Sequence, residues 1–432
     1  MRIVIVGAGV VGASAAFHLS RAGADVTIVD AQRDGRATAA GAGVLCPWLS
    51  SSDDEAFYRL YAAGAAYYPN LAGLLAEAGE TDLGYRRCGA LLVSADAEEL
   101  DWSERLALRR QTHAPAMGAV RRLSPPETRA LFPPLRGDLG GIFIEGGARV
   151  DGRRLAAALL RAARRHGAAV VQEHATVRAT GGRVTGVEAG GARYAADAVL
   201  VCAGAWAMNL LRPLQAHRVV QPQRGQIVHM RLEGADTGAW PIILPPGAHY
   251  LVPFEDGRVV AGATRETGSG FDYRVTAGGQ AEVLAEALKI APGLGAATLV
   301  ETRVGFRPIG PGVRPWLGWV PEVDGLAIGN GLGAAGLTIG PLAGRLLADL
   351  VTGQGSLLDL APFDPGRGQG AQAEGAAALR QAQAGGQDST TRAGRVCCFL
   401  HHTEQLVGIR DHQTRPGDHS EGHTESSPPA SG

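Results

Sequence analysis

Aromatic residues are scarce in this chain, 5% of 432 residues. Excess charge is lacking too, since 41 basic residues face 42 acidic ones. With no basic tract, that balance argues against a nucleic-acid partner and against attachment to anionic lipid. Cysteines number five: Cys46, Cys88, Cys202 and the adjacent Cys397 and Cys398. None forms a C-x-x-C, and the spacing of Cys397–Cys398 to His401–His402 is wrong for a tetrahedral site, so no metal is expected. An odd count fits a reducing cytoplasm, the expected location. No apolar run approaches the ~18 residues of a transmembrane helix. The opening run Ile3–Val6 is too short for a signal peptide.

Glycine, by contrast, is abundant, with 62 residues, many in short clusters that suit tight strand–turn connections. A chain that is 45% hydrophobic and 19% charged reads as globular, and its length allows two or more domains. Hydrophobic pattern predicts strands at 2–6, 25–30, 89–94, 168–171, 198–202, 226–231, 250–253, 259–263 and 325–328. A hairpin is expected from 175–180 and 183–189 around Gly181–Gly182. Helices are expected over 10–22, 53–79, 97–112, 151–166 with Asp151 as N-cap, 277–291 and 341–352. From Gly366 onward Gly, Gln, Ser, Thr, His and Pro dominate. Residues 366–432 read as a disordered tail or a non-native extension.

The first thirty residues carry the sharpest signal. Residues 7–12 read Gly-Ala-Gly-Val-Val-Gly between a strand and a helix, and Asp30 ends the next strand. Together these make the βαβ dinucleotide fingerprint. Gly7 permits the turn, Gly9 the close approach of a pyrophosphate, and Gly12 the packing of helix on sheet. Val10 and Val11 open the helix, whose free N–H groups and dipole favour phosphate. Asp30 suits ribose hydroxyls and disfavours a 2′-phosphate. FAD and NAD are not separated by this motif.

Four further blocks stand in order: Arg36–Pro47 (RATAAGAGVLCP), Val199–Trp206 (VLVCAGAW), Arg303–Gly318 (RVGFRPIGPGVRPWLG) and Asn330–Pro341 (NGLGAAGLTIGP). Together with the fingerprint they resemble the FAD-dependent D-amino-acid oxidase, glycine oxidase and D-amino-acid dehydrogenase superfamily across residues 1–355. One departure is Gly312–Val313, where that family has Asp-Gly. The resemblance implies an α/β fold. A Rossmann-like FAD domain comes from 1–50, 145–215 and 300–360. A substrate domain with a mixed, largely antiparallel sheet comes from 51–144 and 216–299. It implies non-covalent FAD, because the closing loop lacks the cysteine used by covalent members. It also implies cofactor contacts at Ala42, Gly43, Val44, Val177, Gly204, Trp206, Gly331, Gly333, Ala335, Gly336, Leu337 and Thr338.

Arg307 in the Arg-Pro pair is implied to hold a substrate carboxylate, a role its guanidinium fork suits. Tyr250 is the second expected substrate contact. His249, one residue away, should face the opposite side of the strand. Arg265 reads as a second cation or a solvent-facing residue. The expected reaction is oxidation of an amino acid or N-alkyl amino acid by hydride transfer from Cα to flavin N5. Electrons then pass to O2, or, in a dehydrogenase, to a quinone or protein acceptor. A non-catalytic FAD-binding subunit is the reading from outside the enzymes. Oligomeric state is open.

Overall fold

The computed structural model describes residues 1–216 and 218–367. Gly366 and Arg367, assigned to the tail by composition, close a short 3-10 turn. There Arg367 donates to the carbonyls of Arg314 and Pro315. Residues 368–432, including Cys397–Cys398 and His401–His402, lie outside the described residues.

The strand Arg2–Val6 lies inside a six-stranded sheet. The order is Trp316–Trp319, Leu326–Asn330, Ala198–Val201, Arg2–Val6, Asp25–Val29, Ala169–Val171. Only the edge strand Trp316–Trp319 runs antiparallel to its neighbour. Ile3, Val4 and Ile5 are all buried, as a parallel strand covered on both faces requires. Ile3 and Ile5 face a helical layer built by Val10–Arg21, Glu55–Glu77, Gly152–Arg165 and Gly336–Thr352. Val4 and Val6 face the other side, covered by the three-stranded sheet Ala175–Thr180, Arg183–Ala189 and Ala192–Ala195. Gly12 has the packing role its spacing suggests: a Cβ there would stand 1.9 Å from the Gly7 oxygen.

A nine-stranded mixed sheet forms the second layer system. Its core pairs Gln221–Arg231 with Arg258–Gly262, which continues to Tyr250–Pro253 and Ile242–Leu244. The helix Ala277–Ile290 packs on one face. Two segments depart from the sequence-drawn boundaries. Thr298–Ile309 pairs antiparallel along Gln221–Arg231, so a boundary at 300 cuts this strand near its start. Glu55–Glu77, assigned to the substrate domain, instead buries Leu60, Tyr68 and Leu71 in the core beneath the six-stranded sheet.

The closing helix also corrects the sequence reading. It begins at Gly336, and Pro341 lies inside it. A proline here has no N–H for the carbonyl four residues back. That carbonyl, on Leu337, instead accepts a hydrogen bond from the Tyr68 hydroxyl. Among the described residues, Gly333–Thr352 is the one helical stretch long and apolar enough to cross a membrane, and its apolar part is mostly buried in the protein.

Two predictions follow from this packing. Tyr68→Phe leaves the Leu337 carbonyl unpaired and should cost about 1–2 kcal/mol, read as a lower Tm. In a Pro341→Ala background the restored N–H should shrink that cost, and equal costs in both backgrounds would contradict the assignment. The second concerns acid. Burial, with Arg345 and Arg21 adding, pushes the His18 imidazole down to about 3. Burial and Arg303 likewise hold His229 down to about 4. Both are neutral in the fold, whereas the unfolded chain takes up protons below the ordinary histidine value of about 6.5. The urea midpoint should therefore be flat above that pH and fall as pH drops toward 4. A constant midpoint over that interval would contradict the neutral assignment.

Candidate functional site

One cavity of about 310 Å³ runs between the two sheets. At one end stand Gly7, Gly9, Val10 and Val11. Gly7 has φ +108°, and a Cβ there would stand 2.4 Å from the Cys202 oxygen. The Val10 N–H donates to Thr38 Oγ1 at 3.0 Å, which ties the Arg36–Pro47 segment to the helix start. Asp30 is 9% exposed. Its Oδ2 accepts from the Ala8 N–H at 2.5 Å and its Oδ1 from the Gln32 N–H at 2.7 Å. Each oxygen retains a lone pair, enough for a ribose diol. Arg33, Arg36 and His174 complete this end.

The capping pattern shows what this end is built to receive. The helices starting at Glu55, Ala97, Gly152 and Ala277 are capped by the side chains of Asp54, Asp96, Asp151 and Thr276. The helices Val10–Arg21 and Gly336–Thr352 have Gly9 and Ala335 at that position, with no side-chain cap and no acid in the first turn. Both uncapped starts lie at this cavity, through Gly9 and Val10 and through Gly336 and Leu337. The positive ends of two helix dipoles thus converge on one space, the first with its Val10 N–H on Thr38 Oγ1 and the second entered through the 3-10 turn Gly333–Ala335. This fits a diphosphate at the first helix and an electron-rich ring edge at the second.

Of the sequence-predicted cofactor contacts, Ala42, Gly43, Val44, Gly204, Trp206, Gly333, Gly336 and Leu337 also line the cavity. The remaining ones sit behind it. Val177 is buried against Val184 and Val187 in the layer under the sheet. The Gly331 N–H is taken by Asn330 Oδ1, and Thr338 donates its hydroxyl to the Val44 carbonyl. Ala335 is 3% exposed and Gly12 packs against Gly7. The sequence pattern assigns Asn330 no role. It is 1% exposed, and its Nδ2 donates to the Gly204 carbonyl, joining two of the cavity loops.

The other end gathers Arg307, Tyr250 and Arg265. The cross-strand pairs Gln223–Arg307 and Gly225–Gly305 put these four positions on one face of two strands. The Arg307 Nη1 donates to the Thr264 carbonyl at 3.0 Å, with Gln223 Oε1 at 3.5 Å. The guanidinium rests on Gly225, where a Cβ would come within 2.6–2.7 Å of it. Burial lowers the Arg307 pKa, and the Arg265 charge adds to this. Among the described residues no carboxylate lies within ion-pair distance of Arg307.

Tyr250 pairs across the sheet with Gly262, and its ring occupies the space a side chain there would fill. Burial raises the phenol pKa, against the opposing charges of Arg307 and Arg265, so Tyr250 is a hydrogen-bond donor at neutral pH. His249 faces away, with Nε2 3.4 Å from Glu282 of the helix Ala277–Ile290. Cys46 and Cys202 line the cavity as thiols, each pushed up to about 12 by burial.

Comparison with known proteins agrees with this geometry. Residues 2–350 match the DAO family model, described as FAD dependent oxidoreductase. The chain is 50% identical over 363 residues to an uncharacterized oxidoreductase of Bacillus subtilis, YurR, covering 84% of this chain and 98% of that one. It is 32% identical to glycine oxidase of Pseudomonas aeruginosa, over 84% of this chain and 98% of the relative. The crystal structure of iminodiacetate oxidase from Chelativorans sp. BNC1 matches with a TM-score of 0.82 at 52% identity, over 84% of this chain and 99% of that one. The glycine turn, Asp30 and both helix starts lie within the matched span, and the chain belongs to the DAO family of FAD-dependent oxidoreductases.

Proposed function

We propose that this enzyme oxidises the C–N bond of a small amino acid or N-alkyl amino acid, with dissociable FAD as its cofactor. The observation that carries the reading is Arg307, a guanidinium without an acidic partner, facing a cavity beside the Tyr250 hydroxyl. A half-buried cation lacking a counter-ion is costly, and a substrate carboxylate would neutralise it. The names of two relatives supply chemistry that fits. Glycine and iminodiacetate both contain the unit N–CH2–COO⁻.

In this reading Arg307 holds the carboxylate through paired N–H donors, and Tyr250 supplies a further hydrogen bond. Fixing the carboxylate fixes the neighbouring Cα against rotation. When bound, FAD supplies the acceptor for the hydride that leaves Cα. The resulting imine is hydrolysed by water to an oxo acid and ammonia or an amine. Among the described residues no Asp, Glu or His stands at the Arg307 end of the cavity wall, and an amine that binds neutral needs no side-chain base. Apolar walls from Ile227, Leu244 and Ala248 limit the size of the substrate. Dissociable FAD is supported by Cys46 and Cys202 staying protonated, since the thiolate is the nucleophile.

Two variants and one assay test this. Arg307→Ala should stay yellow while kcat/KM for the best amine falls about 100-fold, the order expected for losing a charge-assisted pair. Unchanged kinetics would end the carboxylate assignment. Gly225→Ala puts a methyl where the guanidinium rests. Because the tip of a long side chain can move, the protein should fold and bind FAD, yet show a KM raised about tenfold. A KM equal to the parent's would mean that Gly225 does not set the Arg307 position. Oxygen uptake with and without an artificial acceptor separates an oxidase from a dehydrogenase.

A further inference from the structure

The Arg307 end of the cavity holds a second cation. Arg265 follows the strand Arg258–Gly262 by three residues, is exposed, and lines the same cavity. Its charge is felt by three groups on that wall: Tyr61, Tyr250 and Arg307. The neighbouring acid does not neutralise it. Glu266 Oε2 accepts from Arg224 Nε at 2.9 Å, and Oε1 accepts from Gln226 and Thr264, each at 2.7 Å. Asp272 is taken in turn by Arg224 and Arg274. Among the described residues neither Arg265 nor Arg307 has a carboxylate within ion-pair distance. The acids of the cavity wall, Asp30 and Glu173, stand at the nucleotide end with Arg33 and His174.

We infer that the preferred substrate is an amine bearing two carboxylates, one on Arg307 and the other on Arg265. This rests on the reading of Arg307 above and adds a role for Arg265 as the specificity residue. Two guanidiniums on one cavity wall repel each other, and a single carboxylate relieves only one of them. Iminodiacetate has the required form, with one carboxylate on either side of the nitrogen. Its oxidation balances within the family's chemistry. One Cα–H leaves as hydride to the bound flavin, the amine proton goes to solvent, and water adds across C=N to release glyoxylate and glycine. Glycine keeps one carboxylate and is expected to be a poor competitor for the site.

The test uses the FAD-loaded full chain and compares iminodiacetate with N-methylglycine, which differs in lacking the second carboxylate. The parent enzyme should favour iminodiacetate in kcat/KM by about tenfold or more. The gain is smaller than the loss expected at Arg307, because an exposed cation is screened by solvent. Arg265→Gln should reduce the ratio of the two kcat/KM values about tenfold, through KM. Arg265→Lys should restore part of it. Added salt should erode the ratio in the parent and leave it level in Arg265→Gln. A parent ratio near one, or a ratio that Arg265→Gln does not move, overturns the inference and leaves the Arg307 reading standing. If neither amine bleaches the flavin anaerobically, both fall together.

Discussion

Two long helices begin without side-chain caps, and both begin at the wall of one cavity. The other long helices carry an aspartate or threonine at that position, so the chain has the means to cap a helix and omits it here. A helix start with no acid and no cap of its own presents its positive end to something electron-rich. That arrangement dictates the glycines. Gly9 stands where a side chain would keep a ligand off the first helix. Gly7 makes the turn that aims the helix, at a φ that disfavours other residues.

A different constraint rules the other end. Arg307 is held by the pairing of two long strands, one of which supplies Gly225 as a flat seat. Burial opposes its charge, and the Thr264 carbonyl offsets part of that cost. The protein thus tolerates an electrostatic imbalance at this point, whereas several arginines of the fold are matched to acids. Arg161 and Arg165 share the buried Glu80, and Arg224 bridges Glu266 and Asp272. The contrast between matched and unmatched guanidiniums separates architecture from binding capacity.

Much of this was legible in the sequence because it is local. The strand–turn–helix at residues 1–30, the hairpin around Gly181–Gly182 and the Asp151 cap follow from backbone preference and spacing. What the sequence hid depends on distant partners. The strand Thr298–Ile309 is interrupted in pattern by Gly305 and Pro308, and only its partner, Gln221–Arg231, makes it a strand. The closing helix runs through Pro341 because a tyrosine almost 270 positions away serves the orphaned carbonyl. Gly225 lies just before the strand expected at 226–231, and nothing local marks it as a seat for Arg307. Arg265 was readable as a candidate cation but not as an unmatched one, because the engagement of Glu266 by Arg224 is a tertiary fact.

The strand carrying Arg307 has one more property. Phe306 bridges to Arg36, and Ile309 bridges to Leu332 in the glycine loop before the closing helix. One strand therefore fastens the Arg307 position to the Arg36 segment and to the glycine loop, all on the wall of one cavity. Sliding that strand would drag both segments along with it. Side chains off this strand, such as Ala248 and the exposed Arg265 on the same cavity wall, can be exchanged without shifting it.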